Sequence, residues 1–265
     1  MKDTLSADPL FIDLSLSKLN EDPRNLSLEE RGQCSVLALE SVPKEMNAKF
    51  AVLTCPIDKH NAHKAGFQFS GQTEFFENLW NEKGIMILAG PQLRVGLTTN
   101  HMALKDVPAV LDSNLVSVKI CLMAESLKKV FGIDRPRIAV CGLNPHCSDG
   151  GLFGDEEQNI ILPAILGSKL KAAYASIQGP IPADTAFYRA YKGEFDGVLA
   201  QYHDQGLGPL KLVHWDTAVN VTGGLRYLRV SPDHGPAADL FGKNQASIKS
   251  FAAALELCKN WLKFN

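Results

Sequence analysis

Gly197-Val198-Leu199-Ala200-Gln201-Tyr202-His203-Asp204-Gln205-Gly206 joins a short hydrophobic run to a histidine and a carboxylate standing side by side. The run reads as a buried strand, and the polar residues and glycine after it read as a strand end opening into a loop. Side chains at such a point stand exposed on a rigid support. Two more histidines share the setting. His101 follows Val95-Gly96-Leu97-Thr98-Thr99-Asn100, and His146 follows Ile138-Ala139-Val140-Cys141-Gly142-Leu143-Asn144-Pro145. Three histidines just past β-like runs can converge at one edge of a sheet.

The rest of the chain supplies such a sheet. Residues 50–54, 84–89, 94–98, 117–122, 137–140 and 197–200 are predicted strands, and 104–111, 124–131, 155–166 and 248–264 are predicted helices. Strands alternating with helices specify an α/β fold with a largely parallel or mixed sheet. Ligands in such folds gather outside the carboxyl ends of the strands. The helix at Asp155 is signalled by Gly154 and by Asp155, Glu156 and Glu157 in its first turn, where carboxylates favour the helix dipole. Their other reading is as metal ligands or bases.

A chain of 265 residues can bury a large core in one or two domains. Its formal net charge of −2 points to neither nucleic acid nor a membrane surface as partner. No apolar run approaches the roughly 20 residues of a membrane span. The opening Met1-Lys2-Asp3-Thr4-Leu5-Ser6-Ala7-Asp8-Pro9 lacks the apolar core of a signal peptide, so a cytoplasmic protein is expected. The six cysteines form no Cys-x-x-Cys pair and read as free, mostly buried thiols. Cys147, beside His146, reads either as a small loop residue or as a nucleophile or soft-metal ligand.

Each histidine alone reads as a structural hydrogen-bonder. Three in matching positions also suit a divalent cation with open coordination positions, such as catalytic Zn²⁺, able to polarise a hydroxyl or carbonyl. His60 and His63 are three apart and can share a helical face, as a weaker metal pair or a solvated turn. His214 has no evident partner.

Asn144-Pro145-His146, then Gly150-Gly151-Leu152-Phe153-Gly154-Asp155-Glu156-Glu157, Pro182-Ala183-Asp184-Thr185 and Tyr202-His203-Asp204-Gln205-Gly206 occur in order. Val219-Asn220-Val221-Thr222-Gly223-Gly224-Leu225, Arg229 and Asp233-His234-Gly235 follow. From about Lys49 to the C-terminus this series resembles the 4-hydroxythreonine-4-phosphate dehydrogenases of pyridoxal 5′-phosphate biosynthesis. The resemblance implies an α/β/α two-domain fold of the isocitrate/isopropylmalate dehydrogenase type. Residues 1–70 with 215–265 would form the cofactor side, and 71–214 would carry the metal, substrate and dimer contacts. It implies an NAD-dependent oxidation of 4-phosphohydroxy-L-threonine with decarboxylation to 3-amino-2-oxopropyl phosphate.

By the same resemblance His101, His146 and His203 are metal ligands meeting at a homodimer interface, with both subunits contributing. Zinc is favoured, with cobalt, nickel, manganese or magnesium also possible ligand-set occupants. Gln72, Thr73, Lys211, Asn220 and Arg229 match positions that hold the phosphorylated substrate, where Lys and Arg supply charge-assisted donors. Asp184 and Asp204 match carboxylates near the metal and reacting hydroxyl, as ligand orienters or proton acceptors. His234, Gly235 and Asp239 match an adenosine-binding loop for NAD or NADP, the acid favouring NAD because it repels a 2′-phosphate. The fold implies no Gly-x-Gly-x-x-Gly fingerprint, and the chain has none.

Two departures qualify this. Gln72 stands where most family members carry a histidine, so a hydrogen bond survives there and a cationic role does not. Residues 1–48 do not match the family's opening βα segment, and 28–42 read as the helix before the strand at Phe50; a sheet edge or core face is then expected to be exposed. Dehydrogenases of phosphorylated sugar acids or ring diols, a catalytically impaired homologue, and a metal hydrolase are the other readings. The hydrolase would leave Lys211, Asn220, Arg229 and His234 without a purpose.

Overall fold

The computed structural model describes residues 26–45 and 50–264. The opening read for a leader, residues 1–9, lies outside them, as do residues 46–49. The elements in order are α1 (Leu28–Glu40), β1 (Ala51–Leu53), α2 (Lys59–Lys64), α3 (Gln72–Trp80), β2 (Ile85–Ala89), β3 (Arg94–Leu97), α4 (Val107–Val110) and α5 (Ser113–Lys129). There follow β4 (Arg137–Cys141), α6 (Leu162–Lys171), β5 (Ser176–Ile181), α7 (Ala183–Tyr191), β6 (Gly197–Ala200), α8 (His203–His214), β7 (Val219–Gly223), β8 (Leu228–Pro232) and α9 (Lys249–Phe264).

Residues 26–43 and 57–68 form one compact unit, and the other described residues a second. In the first, α1 opens with a capping box, Ser27 accepting from the Glu30 N–H while Glu30 accepts from the Ser27 N–H at 2.9 Å. Gly32 lets α1 approach α2 closely, because a Cβ there would lie 2.3 Å from the Asn61 carbonyl oxygen. His60 and His63 are both exposed on α2, as the solvated reading expects.

The second unit is built on an eight-stranded sheet in the order β1-β8-β7-β2-β3-β6-β4-β5. β3, β6, β4 and β5 run parallel, β1 is parallel to β8, and β8-β7-β2-β3 are joined antiparallel. Strand side chains alternate between faces, and the core divides accordingly. Ile85, Ile87, Val140 and Val221 pack with α5, α6 and α9 on one face, while Met86, Leu88, Ala139 and Val198 pack with α7 and α8 on the other. The result is a three-layer α/β/α arrangement around a mixed sheet. β1 stands at one edge.

Several expectations need correction. Residues 117–122, predicted as a strand, lie inside α5, where Val116, Ile120, Met123, Ala124 and Leu127 are buried at helical spacing. β-Branched content alone misassigns such a stripe, because a fully buried strand and a buried helix face differ only in period. The helix at Asp155 starts later, as a π turn over Glu157–Ile161 that runs into α6. β5, β7, β8, α3, α7 and α8 lie outside the predicted elements. Among the described residues no single helix is long and apolar enough to cross a membrane.

One consequence of the topology organises the site. β3, β6, β4 and β5 are neighbours and parallel, so their carboxyl ends share one edge. His101 follows β3, His203 follows β6, His146 follows β4 and Asp184 follows β5.

Candidate active site at the carboxyl edge of the parallel strands

The corner after β6 is a direct strand-to-helix junction rather than a loop. Tyr202 is the N-cap of α8, with φ −143° and ψ 163°, and His203 is the first helical residue. Gly206 lies inside the helix, and a Cβ there would meet Val95 Cγ1 at 2.8 Å and Leu97 Cδ2 at 3.0 Å. Its role is close approach: the missing side chain lets the first turn of α8 settle on β3. Gln201 and Gln205 then fasten the corner. Gln205 Oε1 accepts from the Gln201 N–H at 2.7 Å, Gln201 Nε2 donates to Cys141 O at 2.7 Å, and Gln205 Nε2 donates to Gly142 O at 2.8 Å. The Thr99 N–H and hydroxyl both donate to Gln201 O, tying in the segment that carries His101. Gln201 and Gln205 escaped the sequence reading, because glutamine beside a histidine carries no signal of its own.

His101 and His203 face each other across a cavity of about 470 Å³ lined also by Asn100, Tyr202 and Asp204. Their ring centroids are 5.6 Å apart, with the planes at 42°. Two imidazoles on one tetrahedral cation, with metal–nitrogen bonds of about 2.0–2.1 Å, place their centroids about 5 Å apart. The pair is therefore spaced to share an ion. Asp204 Oδ1 lies 2.7 Å from His203 Nδ1. With the proton on Nδ1 donated to this carboxylate, Nε2 is the nitrogen left to bind a cation, the usual carboxylate–histidine–metal relation. The residues present fit two corners of a metal site.

His146 is not among the residues lining that cavity. Among the described residues no three His, Cys, Asp or Glu side chains are gathered within this one chain so as to hold a metal. The His146 segment has its own architecture. Residues 146–150 all have left-handed backbones, with φ of 52°, 53°, 68°, 45° and 72°. Four of these are not glycine, and each costs roughly 1–2 kcal/mol. The buried carboxylate of Glu157, only 3% exposed, offsets this. Its Oε1 accepts from the Leu143 N–H at 2.8 Å and the Asn144 N–H at 2.7 Å, and its Oε2 from Asn144 Nδ2 at 3.1 Å and from the Ser148 hydroxyl. Hydrogen bonds to a charged group contribute roughly 1.5–3 kcal/mol each, the same order as the strain. The sequence reads Glu157 as a first-turn acid that favours the helix dipole, or else as a metal ligand or base; in the structure it is a buried acceptor for backbone and side-chain donors. The missed signal was its spacing of four, seven and eight to Ile161, Ala164 and Ile165, all buried, which put it on the inward face.

Burial and the neighbouring Glu157 raise the Cys147 thiol above its ordinary pKa, as, more weakly, does Asp184. This favours the small-residue reading over a thiolate nucleophile. Asp184 itself is exposed in the first turn of α7, its Oδ1 accepting from the Thr185 N–H at 2.7 Å. It stands beside the His146 segment and does not line the His101–His203 cavity.

A second cluster gathers three of the five expected substrate contacts. Arg229 on β8 is 2% exposed. It donates from Nη2 to Thr54 Oγ1 at 2.8 Å and to Gln72 Oε1 at 2.7 Å, and its guanidinium carbon lies 5.6 Å from the centre of the Phe76 ring. Burial pulls its pKa down to about 9, opposed by the negative charge of Glu74. Thr73 Oγ1 lies 3.4 Å from Thr222 Oγ1, opposite Arg229 in the β7–β8 register. Gln72 and Thr73 begin α3, whose N-cap Gly71 makes no side-chain cap. A partly dehydrated cation, hydroxyls and a helix N-terminus together suit a phosphate. Glu74, one residue on, accepts from Asn100 Nδ2 at 3.3 Å, so the first turn of α3 touches both this cluster and the cavity wall.

The other two expected contacts are placed differently. Asn220 shares a face of β7 with Thr222, and its buried Oδ1 has no hydrogen-bond partner among the described residues. Lys211 on α8 is held in an ion pair with Asp233 at 2.7 Å. His234, Gly235 and Asp239 lie exposed beyond β8, with His234 Nδ1 2.8 Å from Gly235 O. His214, without a partner in the sequence reading, is buried against Gly90, and its Nε2 accepts from the Gln92 N–H at 3.4 Å.

Comparison with known proteins places this arrangement. A 4-hydroxythreonine-4-phosphate dehydrogenase of Desulfosudis oleivorans is 47% identical over 208 residues, 78% of this chain and 61% of that protein. One from Sulfurihydrogenibium sp. is 44% identical over 234 residues, 87% of this chain and 71% of its own length. The chain thus spans less than two thirds of the Desulfosudis relative. The crystal structure of 4-hydroxythreonine-4-phosphate dehydrogenase from Klebsiella pneumoniae aligns with a TM-score of 0.72 at 36% identity, over 89% of this chain and 70% of that one. The layers and mixed sheet are accordingly those of the expected isocitrate/isopropylmalate dehydrogenase-like fold. Residues 13–258 match the family described as pyridoxal phosphate biosynthetic protein PdxA, and the chain belongs to that family.

Proposed function

We propose that this chain, as a homodimer, oxidises 4-phosphohydroxy-L-threonine with NAD and releases CO₂ and 3-amino-2-oxopropyl phosphate. The observation carrying this reading is the first turn of α3. Gln72 meets the buried Arg229, and Glu74 two residues later meets Asn100 of the His101–His203 cavity. An anion grip and an imidazole pair are thereby linked through one helical turn, as a phosphorylated hydroxy acid requires. The names of the relatives supply the substrate.

Arg229, Gln72 and Thr73 would hold the phosphate, with Lys211 and Asn220 completing the grip once Lys211 exchanges Asp233 for substrate. His101 and His203 would hold a divalent cation, zinc by preference, with His146 from a second copy of the chain completing the set. A cation so bound would acidify the substrate hydroxyl and stabilise the enolate formed on loss of CO₂, and NAD would accept the hydride. Asp204 fixes His203 through Nδ1, and its Oδ2, sharing the cavity, would receive the hydroxyl proton. Asp184, beside the His146 segment, would orient that ligand. His234, Gly235 and Asp239 would receive the adenosine of NAD.

The test is NADH formation from 4-phosphohydroxy-L-threonine, with and without a chelator. Chelator-sensitive turnover is expected. Chelator-insensitive turnover would remove the metal role. Thermal stabilisation by NAD and substrate without turnover would mark a binding-only homologue.

A further inference from the structure

The residue that most constrains the His146 segment is neither one of the three histidines nor Asp184 or Asp204. We infer that Glu157 is a positioning residue for His146: its carboxylate templates the backbone that holds the imidazole outward. This rests on the reading of His146 as a metal ligand.

Three observations support it. Glu157 gathers donors from both sides of His146, namely the Leu143 and Asn144 N–H groups and the Asn144 amide before it and the Ser148 hydroxyl after it. The segment it encloses adopts a run of left-handed residues, a conformation that costs each non-glycine residue free energy and so needs support from outside the run. Finally, the π turn over Glu157–Ile161 sits where Glu157 enters the interior, an irregularity that recurs at functional sites. Gly142 is part of the device, since a Cβ there would lie 3.0 Å from Glu157 Oε1 and 2.8 Å from Cys147 Sγ. Asn144 is further bracketed by Glu156, its Nδ2 donating to Glu156 Oε2 at 2.7 Å. His146 is left exposed at the tip of a fixed segment, as a ligand offered to a second copy would be.

The experiment is a double-mutant cycle on the full chain with Co²⁺ alone as probe. Wild type, Glu157→Gln, His146→Ala and the double variant are titrated by calorimetry and by the visible absorption of bound cobalt. Hydrogen exchange at the Leu143 and Asn144 amides is followed in each. Glutamine keeps the shape of Glu157 but offers one acceptor oxygen. Glu157→Gln is expected to weaken cobalt binding about 10- to 100-fold, the range for residues that orient a ligand. It should speed exchange at both amides, and the double variant should bind no more weakly than His146→Ala alone. Ser148→Ala, with a smaller effect in the same direction, serves if Glu157→Gln does not fold. A merely structural role lowers the melting temperature while cobalt affinity stays at the wild-type value, and that result overturns the inference. Additive losses in the double variant overturn it too. If His146→Ala binds cobalt like the wild type, the metal reading itself fails. Unchanged amide exchange in Glu157→Gln then separately shows that Glu157 does not hold the segment.

Discussion

Replacing Arg229 by methionine should leave the ligand-free protein as stable as before, or more so, while abolishing its response to phosphate. Arg229 is 2% exposed, and burial holds its guanidinium at a pKa of about 9. That is roughly 3.5 pH units below an ordinary arginine, and at 1.36 kcal/mol per unit the folded state bears about 5 kcal/mol for keeping it charged. The sign follows from linkage. The folded chain binds this proton more weakly than the unfolded chain, so the penalty is full at any pH below about 9 and fades only as pH rises toward the unfolded value. Opposing its removal, Thr54 Oγ1 and Gln72 Oε1 lose donors at 2.8 and 2.7 Å. Each such loss costs roughly 1–3 kcal/mol, least for the half-buried Gln72, which water can reach. Methionine fills the space and keeps contact with Phe76. The balance lies between about zero and 3 kcal/mol of stabilisation, in line with buried ionic groups elsewhere. Urea unfolding at neutral pH, with and without inorganic phosphate, measures both effects. A ligand-free loss above about 2 kcal/mol at unchanged m-value would refute the reasoning, because Arg229 would then stabilise the fold rather than strain it for binding. A phosphate increment surviving in the variant would remove Arg229 from the anion grip.

Three further outcomes are expected. Gly206→Ala forces a methyl to within 2.8 Å of Val95 Cγ1, so the start of α8 must lift and His203 with it; cobalt affinity should fall about tenfold or more while unfolding shifts by about 1–3 kcal/mol, and unaltered cobalt binding would show that the close approach does not set the ligand. Gly90→Ala should cost about 3 kcal/mol or more, since its Cβ would meet His214 Cγ at 2.3 Å and Cβ at 2.7 Å; Gly90→Ala combined with His214→Ala should be less destabilised than the two losses added, and strict additivity would deny the contact. Burial lowers the His214 pKa, so the unfolded chain takes up a proton that the folded chain resists as pH falls below about 6.5. Urea midpoints should therefore decline more steeply from pH 7 to 5 in the wild type than in His214→Gln, and identical slopes would relieve His214 of that part.

Much of the molecule was legible in the chain because its signals are local. Gly197–Ala200, Arg137–Cys141 and Ile85–Ala89 are strands by composition, and the three histidines fall past strand ends because a strand's end is marked by the residues that stop it. The ordered motifs identified the family without any contact being known. What failed locally failed for one reason: burial comes from neighbours in space. Residues 117–122 look like a strand until the sheet they pack against is seen, and Glu157 looks like a dipole-favouring surface acid until the His146 segment folds over it. Gly206 reads as a turn in sequence and proves to be a packing contact with β3.

The sequence by itself determined the α/β class, the family and which residues carry the donor chemistry that the proposed function calls on. Only the tertiary structure decided which of them meet. The order β3-β6-β4-β5 is a property of long-range strand pairing, and it alone brings His101 and His203 to 5.6 Å while setting His146 on its own carboxylate-held segment. Residue type sets what a side chain can do, and strand order sets what it can do it with.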